Sequence, residues 1–203
     1  MYSPPYNRID DRAELLGFMR DHSFVLLVTG TAGELAASHL PCIVEQRGEQ
    51  LVLVMHMARA NPLWQGFFDD DAMAVFGGPH AYVSPRWYED SPRVPTWNYA
   101  AVHAYGKVRV LQDREARHAV VAKLVARHDP QWAAAFEGMS REYLRRMLDA
   151  IVAFEIAVKR LETRWKLSQN RGRREQELIV AELEKSPYED ERALAQLTRR
   201  HFV

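Results

Sequence analysis

The stretch His56-Met-Ala-Arg59-Ala60-Asn61-Pro62-Leu-Trp64 joins a cation to a helix start. Asn is a favoured N-cap and Pro a favoured first helical residue, so a strand ending near His56 should lead through a short loop into a helix from Pro62. The unpaired N–H groups of that first turn would point back at the loop, where Arg59 stands. A guanidinium beside a helix start suits an anion, and a phosphate best, because it can be gripped by two parallel hydrogen bonds. The plainer reading of the same residues is an ordinary capped helix with a surface arginine.

Two further stretches carry chemistry. Tyr82, Trp87, Tyr88, Trp97 and Tyr99 fall within 18 positions, a density that builds either a packed core corner or a wall for a planar ligand. Thr96 and Asn98, two apart, should share one face of a strand. Later, Arg164-Trp-Lys166-Leu-Ser168-Gln169-Asn170-Arg171 offers Lys166, Ser168, Gln169 and Asn170 as donors to an anion or a heterocycle, or else is a polar strand end with a solvated loop. The histidines His39, His56, His80 and His103 lie on or near predicted strands. None has helical metal spacing to another, so hydrogen-bonding histidines are expected and no metal site. Ser38 and His39 are neighbours on a strand and point to opposite faces, which excludes a hydrolytic pair. Gly-x-Ser-x-Gly, P-loop and Gly-x-Gly-x-x-Gly patterns are absent, and no catalytic residue is marked.

The elements that must hold these residues are legible from periodicity. Tyr2 to Asn7, with two prolines, reads as an extended arm. A helix capped by Asp10 or Asp11 should carry Leu15, Leu16 and Met19 and end near His22. Strands are expected over 24–29, 35–44 and 50–56, joined by turns at Gly30–Gly33 and Arg47–Glu49 as an antiparallel meander. A short helix over Asn61–Phe68 should follow. Next come a strand over 72–76 closed by Gly77-Gly78-Pro79, a strand fragment over 81–83, and a loop over Glu89–Pro95. A long strand over Thr96–Leu111, with a bend at Gly106, leads to helices over 113–128 and 140–148. A last strand runs from Ile151 towards Trp165. Two charged amphipathic helices, 173–185 and 189–201, close the chain. The pattern predicts an α+β fold built on an antiparallel β-barrel, with a barrel domain over 1–170 and a helical extension over 171–203 packed on the barrel or on a partner subunit.

Composition narrows the class of function. Lys and Arg number 27, Asp and Glu 27, giving zero formal charge. That argues against a domain devoted to gripping a nucleic-acid backbone, while leaving room for a local basic patch. The extension is charge-balanced as well. The N-terminal stretch has no signal-peptide pattern and no apolar run approaches the roughly 20 residues of a membrane span, so a cytoplasmic, membrane-free protein is expected. Cys42, the only cysteine, is flanked by apolar residues and reads as a buried small hydrophobe.

Several motifs in order resemble the PaiB family of FMN-binding negative transcriptional regulators. They are the MYSPPYNRID start, Ser38-His-Leu-Pro41, His56-Met-Ala-Arg-Ala-Asn-Pro62, Gly78-Pro-His-Ala-Tyr82, Val94-Pro-Thr-Trp-Asn-Tyr99 and Trp165-Lys-Leu-Ser-Gln-Asn170. The resemblance implies an antiparallel split β-barrel of the FMN-binding type, a homodimer, and FMN as cofactor. It implies cofactor contacts from Ser38, His39 and His56, from the phosphate loop Arg59, Ala60 and Asn61, and from Trp97, Asn98, Lys166, Ser168 and Gln169. Split-barrel phosphate loops often carry a second basic residue; here Ala60 and Asn61 stand in its place. DNA enters as a partner through the family label alone. Related split barrels imply two alternatives: a flavin-dependent oxidoreductase of the flavin-reductase or pyridoxamine-phosphate-oxidase kind, and a haem-binding protein with His201 as the candidate ligand.

Overall fold

Asp11 starts the first helix. Its carboxylate accepts the N–H groups of Ala13 and Glu14 at 2.8 and 3.0 Å, satisfying donors that a first turn leaves free. The computed structural model describes residues 1–31, 34–67, 71–89 and 92–203. After a 3-10 turn at Pro5–Asn7 come α1 (Arg12–Asp21), β1 (Phe24–Thr31), β2 (Glu34–Arg47), β3 (Gln50–Ala58), a 3-10 turn at Pro62–Gly66, β4 (Ala72–Val83), and a 3-10 turn at Pro85–Trp87. Then follow β5 (Thr96–Leu111), α2 (Arg114–His128), a 3-10 turn at Pro130–Trp132, α3 (Ala133–Glu137), α4 (Arg141–Asp149), β6 (Ile151–Lys166), α5 (Arg173–Leu183) and α6 (Glu189–Arg200). The six strands form a closed barrel in the order β1-β2-β3-β6-β5-β4, which is the expected α+β barrel. Ala32 and Gly33 of the expected first turn, Phe68 of the expected short helix, and Asp90 and Ser91 of the expected loop lie outside the described residues.

Three local expectations need correction. The N-terminal arm is not wholly extended, since Pro5–Asn7 makes a 3-10 turn with buried Asn7. The helix after Asn61 is a short 3-10 segment, Pro62–Gly66. The strand pieces over 72–76 and 81–83 are one strand, β4, that passes straight through Gly77-Gly78-Pro79. Among the described residues the pairing of β4 with β1 covers Met73–Val75, so Pro79 lies beyond that ladder and its missing N–H costs it nothing there. β5 runs as expected from Thr96 to Leu111, and Gly106 has a packing reason: a Cβ there would overlap the carbonyl of Ala157 on β6.

The chain forms two compact units. One consists of Leu16–Phe76 and His103–Leu161. In it β3 is buried almost continuously from Leu51 to Met55 because both of its faces are covered. Val52, Val54 and Ala153 pack against Val120 and Leu124 of α2, with Ile43 and Leu111 at the edge. The alternate residues Leu53, Met55, Phe154 and Ile156 are fully buried on the opposite face. Cys42 sits in this core at 1% exposure, and burial pushes its thiol pKa far up, so it stays neutral. The other unit consists of Met1–Leu15, Gly77–Val102 and Glu162–Val203. Its helices α5 and α6 pack on each other and bury Ile179, Val180 and Leu183 against a stripe of Leu194, Ala195, Leu197 and Thr198.

Candidate functional site

In the unit of residues 16–76 and 103–161, the loop after β3 is held from several sides. Register pairs Ala58 with Ile151, and the Arg59 N–H continues the ladder to the Ala150 carbonyl at 2.8 Å. The Arg59 guanidinium then turns back on the start of β6. Nε donates to the Asp149 carbonyl at 2.8 Å and Nη2 to the Ile151 carbonyl at 2.9 Å. Arg59 is nevertheless exposed. Trp64 Nε1 donates to the Arg59 carbonyl at 2.9 Å, and the guanidinium lies 6.0 Å from the Trp64 ring centroid. The result is a cation fixed in place by neutral carbonyls, with no carboxylate among the described residues spending its charge.

Asn61 does the capping its type predicts. Its Oδ1 accepts the Leu63 N–H at 3.0 Å, and its Nδ2 donates to Ser38 Oγ on β2 at 3.2 Å. Ser38 and Asn61, 23 positions apart, are thereby joined beside Arg59 and Ala60. His39 points to the other face of β2 and is exposed, with its ring stacked 5.8 Å from that of Phe24. His56 lies within β3 and is half-buried. Its Nδ1 is buried without a partner among the described residues, and burial lowers its pKa below 6.5.

In the other unit the remaining candidates form a second group. Asn98, fully buried on β5, donates from Nδ2 to Ser168 Oγ at 2.9 Å. Ser168 has a φ of 62°, a left-handed conformation rare outside glycine, just past the end of β6. Its carbonyl accepts Gln176 Nε2 of α5 at 3.2 Å, and Gln176 Oε1 accepts the Val203 N–H at 3.2 Å. Gln169 folds onto its own turn, accepting the Leu167 N–H at 2.8 Å and donating to the Trp165 carbonyl at 2.5 Å. Lys166 Nζ donates to the Trp97 carbonyl at 2.9 Å and to Thr96 Oγ1. Its pKa is lowered, first by burial and then by the charge of Arg164. The Trp97 ring stands outward at 49% exposure, stacked on His80 at 6.0 Å and edge-on to Tyr82 at 6.2 Å.

Sequence reasoning missed Gln176, which closes this network. The available signal was its position: three residues before Ile179, it shares the buried stripe of α5. It also missed Asp190, whose carboxylate accepts the His80 backbone N–H at 3.1 Å and meets His80 Nδ1 at 2.8 Å, bringing β4 and α6 together across 110 positions. His201 Nε2 meets Glu14 Oε1 at 2.5 Å, so the histidine considered as a haem ligand is engaged by a carboxylate. Among the described residues no group of three or more His, Cys, Asp or Glu could hold a metal ion. No helix among them is long and apolar enough to cross a membrane.

A family described as "Putative FMN-binding domain" matches residues 1–160. The chain belongs to this family. "Protease synthase and sporulation protein PAI 2" of Bacillus subtilis (strain 168) is 32% identical over 202 residues, covering 97% of this chain and 96% of that protein, and so the PaiB kinship holds. Two solved structures share the fold at low identity. The FAD and heme binding protein from Mycobacterium smegmatis has a TM-score of 0.61 at 16% identity, over 78% of this chain and 72% of that one. The flavocytochrome Anf3 from Azotobacter vinelandii has a TM-score of 0.60 at 14% identity, over 79% of this chain and 69% of that one. The fold is that of the split-barrel flavoproteins.

Proposed function

We propose that the chain binds FMN and acts as a PaiB-type negative transcriptional regulator, as a cytoplasmic homodimer. The observation that carries the FMN reading is Arg59. A phosphate needs a cation whose charge is not already neutralised, held so that little entropy is lost on binding. Arg59 meets both needs, because carbonyls orient it and leave its charge intact. The Asn61–Ser38 bond beside it fixes the loop. Bound FMN would supply redox chemistry of its own, so a flavin-dependent turnover would need no further catalytic group.

The dimer has a separate support within one unit. The outward positions of β1, β2 and β4 leave Phe24 at 68% and Leu35 at 82% exposure, beside half-buried Leu26, Val28, Met73 and Val75. A contiguous apolar face of this kind drives association. Light scattering is expected to report a dimer, and a monomer at micromolar concentration would defeat that part.

The FMN reading is tested by Arg59→Ala. A charge-assisted, two-pronged grip is worth roughly 1.5–3 kcal/mol, so FMN affinity should fall about ten- to a hundredfold. Riboflavin lacks the phosphate and should bind the variant nearly as well as the parent. Equal weakening of both ligands, or of neither, would put the phosphate elsewhere.

A further inference from the structure

In the unit of residues 16–76 and 103–161, the helix α4 presents an unusual surface. Its apolar side is spent inside the protein: Leu148 is 4% exposed, and Leu144 and Leu148 line a cleft with Arg114 and His118 of α2. Arg141 lines the rim of that same cleft, Arg145 follows it one turn later and Arg146 points away, and all three are exposed. None of the three forms an ion pair with a described residue, whereas Arg114 and Arg117 of the neighbouring α2 both meet Asp149. Glu142 is the one acidic side chain between them. Tyr143 and Met147 stand out on the same helix at 43% and 45% exposure, and the Arg146 guanidinium lies 6.0 Å from the Tyr143 ring centroid. Trp132, in the 3-10 turn that also packs on α2, is 49% exposed.

Guanidinia without ion pairs, one helical turn apart and about 6 Å along the axis, suit an anionic partner with repeated charges. A lipid surface would need an apolar helix face to insert, and here that face is already buried. Tyr and Trp rings beside free guanidinia suit a partner with both phosphates and planar bases. We infer that α4 is a nucleic-acid-binding surface, with Arg141, Arg145 and Arg146 on backbone phosphates and Tyr143 against a sugar or base. The inference rests on the regulatory reading above and gives it a location. It also explains how a chain of zero formal charge could bind nucleic acid, since the basic excess is local.

The test uses the full-length, FMN-loaded protein and a fluorescent double-stranded DNA of random sequence, with anisotropy read over a salt series. The parent should bind with an affinity that falls linearly in log salt. Arg145→Gln with Arg146→Gln should lower affinity at least about tenfold and reduce the salt slope by about two, one for each phosphate left without its guanidinium. Tyr143→Ala should weaken binding without changing the slope. Arg199→Gln, on α6, should leave both unchanged, and retained FMN binding reports folding. If the parent binds DNA and the α4 variants bind equally well with the same slope, the surface is wrong and the regulatory reading survives. If the parent shows no salt-dependent binding, both fail. Binding to anionic phosphatidylserine vesicles that is lost in the α4 variants, with DNA binding unaffected, would overturn the inference in favour of a lipid surface.

Discussion

The loop Arg59–Asn61 and the stretch Trp165–Asn170 look alike as sequence, each a short polar run at a strand end, yet the protein uses them in opposite ways. Around Ser168 the buried polar side chains are consumed. Asn98, Ser168 and Gln176 satisfy one another in a network that joins β5, the end of β6 and α5. Around Arg59 a charge is oriented but not cancelled, and it stays exposed. A fully satisfied buried network specifies position, because any missing member leaves an orphan in low dielectric. An exposed, oriented charge costs little to maintain and remains available to a ligand. Stability is therefore the expected role of the first motif and binding the role proposed for the second, and the two can be separated by experiment.

The largest effect should come from Asn98→Ala. It strands the Ser168 hydroxyl, on a residue only 5% exposed, without its buried partner. Such an orphan costs roughly 1–3 kcal/mol, which for a chain of this length lowers Tm by about 2–12 °C. FMN affinity of the folded fraction should be unchanged. The opposite pattern in thermal unfolding and flavin titration, intact Tm with weakened FMN binding, would move Asn98 from the network to the ligand site and break the comparison.

Asn61→Ala should sit between the two behaviours. The substitution removes the cap on Leu63 and the bond to Ser38, and caps are worth about 0.5–2 kcal/mol. Because Asn61 also steadies the loop that carries Arg59, FMN binding should weaken several-fold while riboflavin binding changes less. A drop in stability with FMN affinity untouched, read by paired melting and titration, would show that the cap and the guanidinium are independent.

How far such roles could be read from sequence depended on whether the partner was local. Asn61 announced its cap because the group it satisfies lies two residues on. β5 was legible over its full length because its alternation is unbroken. β4 was not, because Gly77-Gly78-Pro79 carries strong turn chemistry, and nothing local says that the ladder with β1 has already ended by Val75. The carbonyls that hold Arg59 come from 90 and 92 positions away, and Ser168 meets Asn98 across 70. Residue type could nominate these side chains for chemistry. Only the fold could say which of them was already spent.

His56 gives the smallest and most selective test. It lies on β3 two residues before the end of the strand, and its buried Nδ1 has no acceptor among the described residues to meet a proton. Burial therefore lowers its pKa from the ordinary 6.5. Between the lowered folded value and 6.5 the unfolded chain binds more protons than the folded one, so stability from this group is full above 6.5 and declines as pH falls below it. Glu155 behaves differently. The hydrogen bond from Arg47 holds its carboxyl below 4.5 against the opposing effect of burial, and Arg109 adds to the pull. Its contribution is lost only in stronger acid, at pH values under 4.5. In urea melts across pH, His56→Asn should flatten the decline just below 6.5 and leave the steeper fall below 4.5 in place. If the variant and the parent lose stability in parallel through the upper window, His56 is not the group that titrates there.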